Sequence, residues 1–268
     1  MAPQTWSQSE KGMKMLLSKG KLPELKSVDF DMCESCILGK QKKMSFLKIG
    51  RTPKAEKLEL VHTDLWGPSS VVSLGGSRYY ITFIDDTSRK VWIYFLKNKS
   101  NVFETFKKWK AMVETETGLK VKCLKSDNKG EYIDEGFSEY CVAHGIRMEK
   151  TIPGTPQKNG VAECINKTFN EHVRSMRLHT GLPKTFWADV VSTAAYLINR
   201  GPLIPMEFRL PEEVWSGKEV KFSHLKVFGC ISYVHIDSVA RSKFDAKSKI
   251  CFFIDYGDEK FSYRFWNE

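Results

Sequence analysis

The chain has 268 residues and carries 42 lysines and arginines against 32 aspartates and glutamates, a formal net charge of +10. That length holds one large domain, or one domain with smaller ones at its ends, and 41% hydrophobic with 28% charged residues supplies a core and excludes a disordered chain. The basic balance points to a polyanionic partner, nucleic acid first, and the longest apolar runs, residues 81–84 and 250–254, fall far short of the ~20 residues a membrane-spanning helix needs.

Residues 1–55 are rich in lysine and contain Cys33-Glu34-Ser35-Cys36, followed by Lys40-Gln41-Lys42-Lys43. The start lacks a basic stretch followed by an apolar run, so no secretory signal is expected, and the seven cysteines then fit a reducing compartment. Arg51-Thr52-Pro53-Lys54 reads as a linker, because proline disfavours helix at its own position and the one before. Leu58, Leu60, Val61 and Leu65 surround Asp64 in a short strand that Gly67-Pro68 ends. Residues 79–84 and 91–96 are β-branched and aromatic, and Asp85-Asp86-Thr87-Ser88 joins them as a hairpin.

A helix follows, with Ser100 as its N-cap, Val102, Phe103, Phe106, Trp109, Lys110 and Val113 at helical spacing, and Gly118 as its stop. A strand over residues 121–124 ends just before Asp127. A second helix over 137–143 stops at Gly145, and residues 146–148 form another strand. The Pro153-Gly154-Thr155-Pro156 loop leads to helices over 161–179 and 183–199. From Phe222 onward the chain is strand-rich, with runs at 227–234 and 250–254. Three strands able to form a meander, then alternating helix and strand, fit an α/β layer architecture with a mixed sheet.

Three carboxylates occupy special positions in this order: Asp64 within the first strand, Asp127 just past a later strand, and Glu163 near the start of a long helix after a Gly/Pro loop. An acid in a buried strand is costly unless it is paired or holds a metal. Convergent carboxylates meet that need by binding hard divalent cations, Mg²⁺ or Mn²⁺, and two such ions serve phosphodiester chemistry. Asp85, Asp86 and Asp134 are equally acidic, and are expected in turns or on solvated faces.

Residues 62–68 (His-Thr-Asp-Leu-Trp-Gly-Pro), 80–86, Ser126-Asp127-Asn128 and the stretch from Gly154 to Glu163 together resemble the integrase core of copia-type LTR retrotransposons. The 35-residue gap between Asp127 and Glu163 is that family's Asp–Asp–Glu signature. Trp187-Ala188, residues 195–200 and Phe228-Gly229-Cys230 extend the likeness over nearly the whole chain. The resemblance implies a truncated N-terminal pre-integrase segment at 1–55. It implies an RNase H-like catalytic core at 56–202, a mixed five-stranded sheet flanked by helices, and a linker with a β-rich SH3-like module at 203–268. It further implies DNA 3′-end processing and strand transfer, with Asp64, Asp127 and Glu163 as catalytic ligands of two Mg²⁺ or Mn²⁺ ions. Lys158, Asn159, Lys167 and Arg174 would face DNA from element ends and target. A homo-oligomer when active, and a nuclear location reached through the cytoplasm, also follow.

The family's N-terminal zinc site pairs two histidines with Cys-x-x-Cys, yet here the first histidine is His62. Cys33 and Cys36 therefore read as a vestigial half-site without stable zinc, and residues 1–55 as partly helical but poorly anchored. Lys129, Cys164 and Lys167 also depart from the family's usual residues. These losses keep an alternative open: an integrase-derived DNA-binding protein without catalysis.

Overall fold

The strand around Asp64 becomes the middle of a five-stranded sheet in the computed structural model. The structure describes residues 10–21, 54–126, 135–150, 160–257 and 263–267, with side chains for all of these except 10–13, 135 and 160–164. β1 (Val61–Trp66) pairs antiparallel with β2 (Tyr79–Asp85), which pairs antiparallel with β3 (Val91–Leu96). On its other side β1 pairs parallel with β4 (Cys123–Ser126), and β4 with β5 (Arg147–Lys150). The order is β3-β2-β1-β4-β5, the mixed sheet with a leading meander that the sequence pattern implied.

Strand alternation divides the sheet into two faces. Val61, Leu65, Ile81 and Phe83 pack on Phe106, Trp109 and Val113 of α2 (Val102–Thr117) and on Phe137 and Cys141 of α3 (Glu135–Ala143). On the opposite face Tyr80, Ile84 and Val91 meet Phe169 and Met176 of α4 (Gly160–Thr180). They also meet Trp187, Val190 and Ala194 of α5 (Trp187–Asn199). Phe253 and Ile254 join this second cluster from a three-stranded antiparallel sheet of β6 (Ile231–His235), β7 (Ser248–Asp255) and β8 (Arg264–Trp266). No helix of the described residues is long and apolar enough to cross a membrane.

Several local expectations shift. A 3₁₀ turn over Lys99–Asn101 leads into α2, so Asn101 rather than Ser100 precedes it, and no side chain caps it. β4 starts at Cys123, which faces Arg147, the first residue of its parallel partner β5. Of the run 227–234 only residues from Ile231 form a strand: Phe228 is buried and Gly229 turns the chain at φ 76°. A Cβ at Gly229 would collide with the Thr180 side chain, so the corner needs glycine. Residues 10–18 are helical (α1, Glu10–Ser18), in keeping with a partly helical N-terminal segment. That helix is better anchored than expected, since Leu16 is buried against Leu210 and Val220, and Lys21 pairs with Glu213 of α6 (Pro211–Ser216).

Asp85 and Asp86 depart most from expectation. They do lie at the hairpin turn, but both are fully buried rather than solvated. Asp85 accepts hydrogen bonds from the Leu58 amide (2.8 Å) and from the Ser88 amide and hydroxyl (2.7 Å each). Asp86 accepts from the Lys54 amide at 2.9 Å and pairs with His62 and Arg89. Backbone donors stand in for water, which lets two carboxylates stay inside. Asp85→Ala would leave two buried amides unpartnered, and urea unfolding should register a loss of roughly 2–5 kcal/mol. A loss below about 1 kcal/mol would show that the turn is held by other contacts.

A second polar seam joins α5 to the C-terminal sheet. Arg264 lies 3.2 Å from both Asp189 and Asp255, and Thr193 donates to Asp255 at 3.3 Å. Burial pushes the Asp255 carboxyl up to about 6, against the opposing pull of Arg264, and burial raises Asp189 as well. A carboxyl whose folded pKa is raised favours the folded state below its ordinary pKa, and that contribution is lost as pH rises through about 6. Stability should therefore fall between about pH 4 and 6.5, and Asp255→Asn should flatten that fall. Thermal melting across this range tests the point, and parallel profiles for the two proteins would refute it.

Candidate active site

Asp64 is half-buried on β1, with β2 on one side and β4 on the other. Its cross-strand neighbour Thr82 donates its hydroxyl to the Asp64 carbonyl at 3.3 Å. The carboxylate is reached from the helical layer: Asn166 Nδ2 of α4 donates to Asp64 Oδ2 at 2.5 Å. Among the described residues, the buried Asn166 Oδ1 has no hydrogen-bond partner. Position 163 lies on the same helix, one turn before this contact.

The other expected site residues divide into two groups. Asp127, Lys158, Asn159, Cys33 and Cys36 lie outside the described residues, and so does the side chain of Glu163. Lys167 and Arg174 are described and exposed, two helical turns apart on α4. Among the described residues no three His, Cys, Asp or Glu side chains gather closely enough to hold a metal ion. Asp64 is the one carboxylate of the expected triad whose side chain is described.

Sequence reasoning missed the residues that support Asp64. His62, two positions before it, is buried and its Nε2 lies 2.9 Å from Asp86 Oδ1. Burial lowers the His62 pKa against the pull of Asp86. Burial alone would raise Asp86, but the His62 bond, the Lys54 amide and Arg89 hold it at about 2. The two shifts disagree over whether the imidazole is charged. The Lys54 amide and Arg89 already stabilise the carboxylate, so the ring is neutral and donates through Nε2. Tyr80, whose hydroxyl is pushed well above its ordinary pKa by burial and then by the charge of Asp64, packs beneath Trp66. Only pairing across strands reveals these neighbours. Asn166 could have been suspected from its spacing of three after Glu163, which shares a helix face.

Residues 54–156 match the integrase core domain, residues 8–41 the GAG-pre-integrase domain and residues 230–268 the retroviral polymerase SH3-like domain. Over 97% of its length the chain is 51% identical to the retrovirus-related Pol polyprotein from transposon TNT 1-94 of Nicotiana tabacum. The chain belongs to the integrase region of copia-type retrotransposon Pol polyproteins. It is also 34% identical, over 84% of its length, to the corresponding polyprotein from transposon RE2 of Arabidopsis thaliana. This integrase region spans only 19% and 15% of the length of those two relatives. In the simian T-cell lymphotropic virus intasome, solved by cryo-electron microscopy with a PP2A regulatory subunit, a chain shares its fold. The TM-score is 0.52 at 13% identity, covering 88% of this chain and 85% of that one.

The Asn166 contact is a hydrogen bond to a charged group, worth roughly 1.5–3 kcal/mol. Asn166→Ala should lower the urea midpoint accordingly, without changing the slope of the transition. An unchanged midpoint would mean that α4 is held on β1 by its apolar face alone.

Proposed function

We propose that this integrase region joins element cDNA ends to target DNA by 3′-end processing and strand transfer, with Asp64, Asp127 and Glu163 as its metal-holding carboxylates. The observation that carries the reading is the 2.5 Å bond from Asn166 to Asp64, which docks the helix containing position 163 on the central strand. The register of β4 adds support. Val61 faces Leu124 and His62 faces Lys125, so Ser126 is level with Thr63, and Asp127 is the next residue in sequence.

The residues fit a site for hard cations. Carboxylate oxygens are the ligands Mg²⁺ and Mn²⁺ prefer. The buried Asn166 Oδ1 beside Asp64 calls for a donor that the described residues do not supply. Bound ions would polarise the attacking and leaving oxygens of a phosphodiester. The chain's own part is to hold Asp64 in one orientation through Asn166, and to keep the strand fixed through the His62–Asp86 pair. Lys158, Asn159, Lys167 and Arg174 bind DNA phosphates in this reading. The working form is a homo-oligomer acting in the nucleus after passage through the cytoplasm. Cys33 and Cys36 hold no stable zinc, and the chain divides functionally at 1–55, 56–202 and 203–268.

A labelled oligonucleotide carrying an element end, incubated with Mn²⁺ and target DNA, should yield joined product. Asp64→Asn keeps the shape and removes a charge, and should cut joining at least about a hundredfold and weaken Mn²⁺ binding in calorimetry. Absence of product, with DNA binding equal in both proteins, would replace this reading with a DNA-binding protein that lacks catalysis.

A further inference from the structure

Trp66 is the exposed aromatic nearest in sequence to Asp64, and the way it is held is unusual for a surface residue. It stands two positions after Asp64 on β1, so both side chains leave the same face of the sheet, roughly 7 Å apart along the strand. Its relative exposure is 36%, which leaves a large apolar surface in water. The ring is not loose. It stacks on Tyr80 with centroids 5.0 Å apart and planes 18° apart, and Trp187 tilts against it at 5.5 Å.

Both supports are themselves fixed. Tyr80 is buried, and Trp187 packs edge-on to Phe95 and donates its indole N–H to the Val71 carbonyl at 2.9 Å. That last bond ties the loop after β1 to the start of α5. Trp66 has one face seated on a buried ring and keeps a substantial part of its surface in solvent, on the same face of the sheet as Asp64.

We propose that Trp66 is a stacking platform for a nucleobase adjacent to the reacting phosphodiester. The inference rests on the reading of Asp64 as a catalytic carboxylate and deepens it by naming the part of the substrate held beside that group. Aromatic stacking accepts every base, because each has a π-face, so the platform positions DNA without reading its sequence. Its rigid mount on Tyr80 and Trp187 means that little side-chain freedom is lost on binding. Trp66 acts in this scheme as a substrate-positioning residue, and it takes no part in proton or phosphoryl transfer.

The test uses the full chain and an oligonucleotide end carrying 2-aminopurine at successive positions near the processed strand's 3′ terminus. One position should lose fluorescence on binding to the unaltered protein. Trp66→Phe should keep that quenching. Trp66→Leu, which covers Tyr80 but cannot stack, should lose it and reduce joining by about tenfold to a hundredfold, mostly in KM. Circular dichroism melts report whether either variant has lost its fold. An abasic site at the quenched position, with the protein unaltered, should weaken binding to a similar degree and keeps the test independent of variant folding. Quenching retained in Trp66→Leu, or an abasic end bound as well as an intact one, would overturn the proposal. If the unaltered protein quenches the probe but joins no DNA, the catalytic reading fails while the stacking result stands on its own.

Discussion

A carboxylate on the central strand of a sheet must find partners, and the bond between Asp64 and Asn166 is where this molecule meets that demand. The neighbouring strands and α4 hold it in place. β1 is paired on both sides, with β4 at Val61 and His62 and with β2 along its length, so Asp64 is held in the ladder opposite Thr82. α4 is held on the sheet by Phe169 and Met176, and it delivers Asn166 from above. The helix thus couples its own packing to the orientation of one charged group. A shift of α4 that left its apolar contacts intact would still cost the carboxylate its donor.

The polar interior continues along the same strand. His62, buried two residues before Asp64, is tied through Asp86 to Arg89 and to the Lys54 amide. Asp85, the neighbour of Asp86, takes the Leu58 and Ser88 amides. The segment that leads into β1 is therefore clipped to the β2–β3 turn by carboxylates as well as by the burial of Leu58. Such bonds to charged acceptors are short and directional. They fix where β1 begins, and with it the register that sets Asp64 opposite Thr82.

The aromatic layer on the Asp64 face extends this order toward the C-terminus. Trp66, Tyr80 and Trp187 pack in sequence, and Trp187 belongs to the same cluster as Phe253 and Tyr256. The small β6–β8 sheet consequently rests on α5, which also frames the surroundings of Asp64. The Arg264 seam with Asp189 and Asp255 lies along that contact. Through Trp66, Tyr80 and Trp187, β1 is linked to the core shared with the module resembling an SH3-like fold.

The sequence by itself determined the family and the mixed sheet, and it singled out Asp64 on the first strand. Hydrophobic period, turn residues and ordered motifs are local properties that survive in one dimension. It also placed Lys167 and Arg174 on one long helix, where both are exposed. It placed Asp85 and Asp86 at the hairpin turn but did not foresee their burial, since that depends also on donors that arrive from residues 54, 58 and 62, beyond the reach of a local pattern. The start of β4 moved for a similar reason, because the boundary of a strand is set by its partner's register. Only the tertiary structure decided that Asn166 grips Asp64, that His62 is a buried partner of Asp86, and that Trp66 lies stacked yet open beside the site. Each of these depends on which strand or helix is the spatial neighbour, and contacts spanning 24 or 102 residues form only when the chain closes on itself.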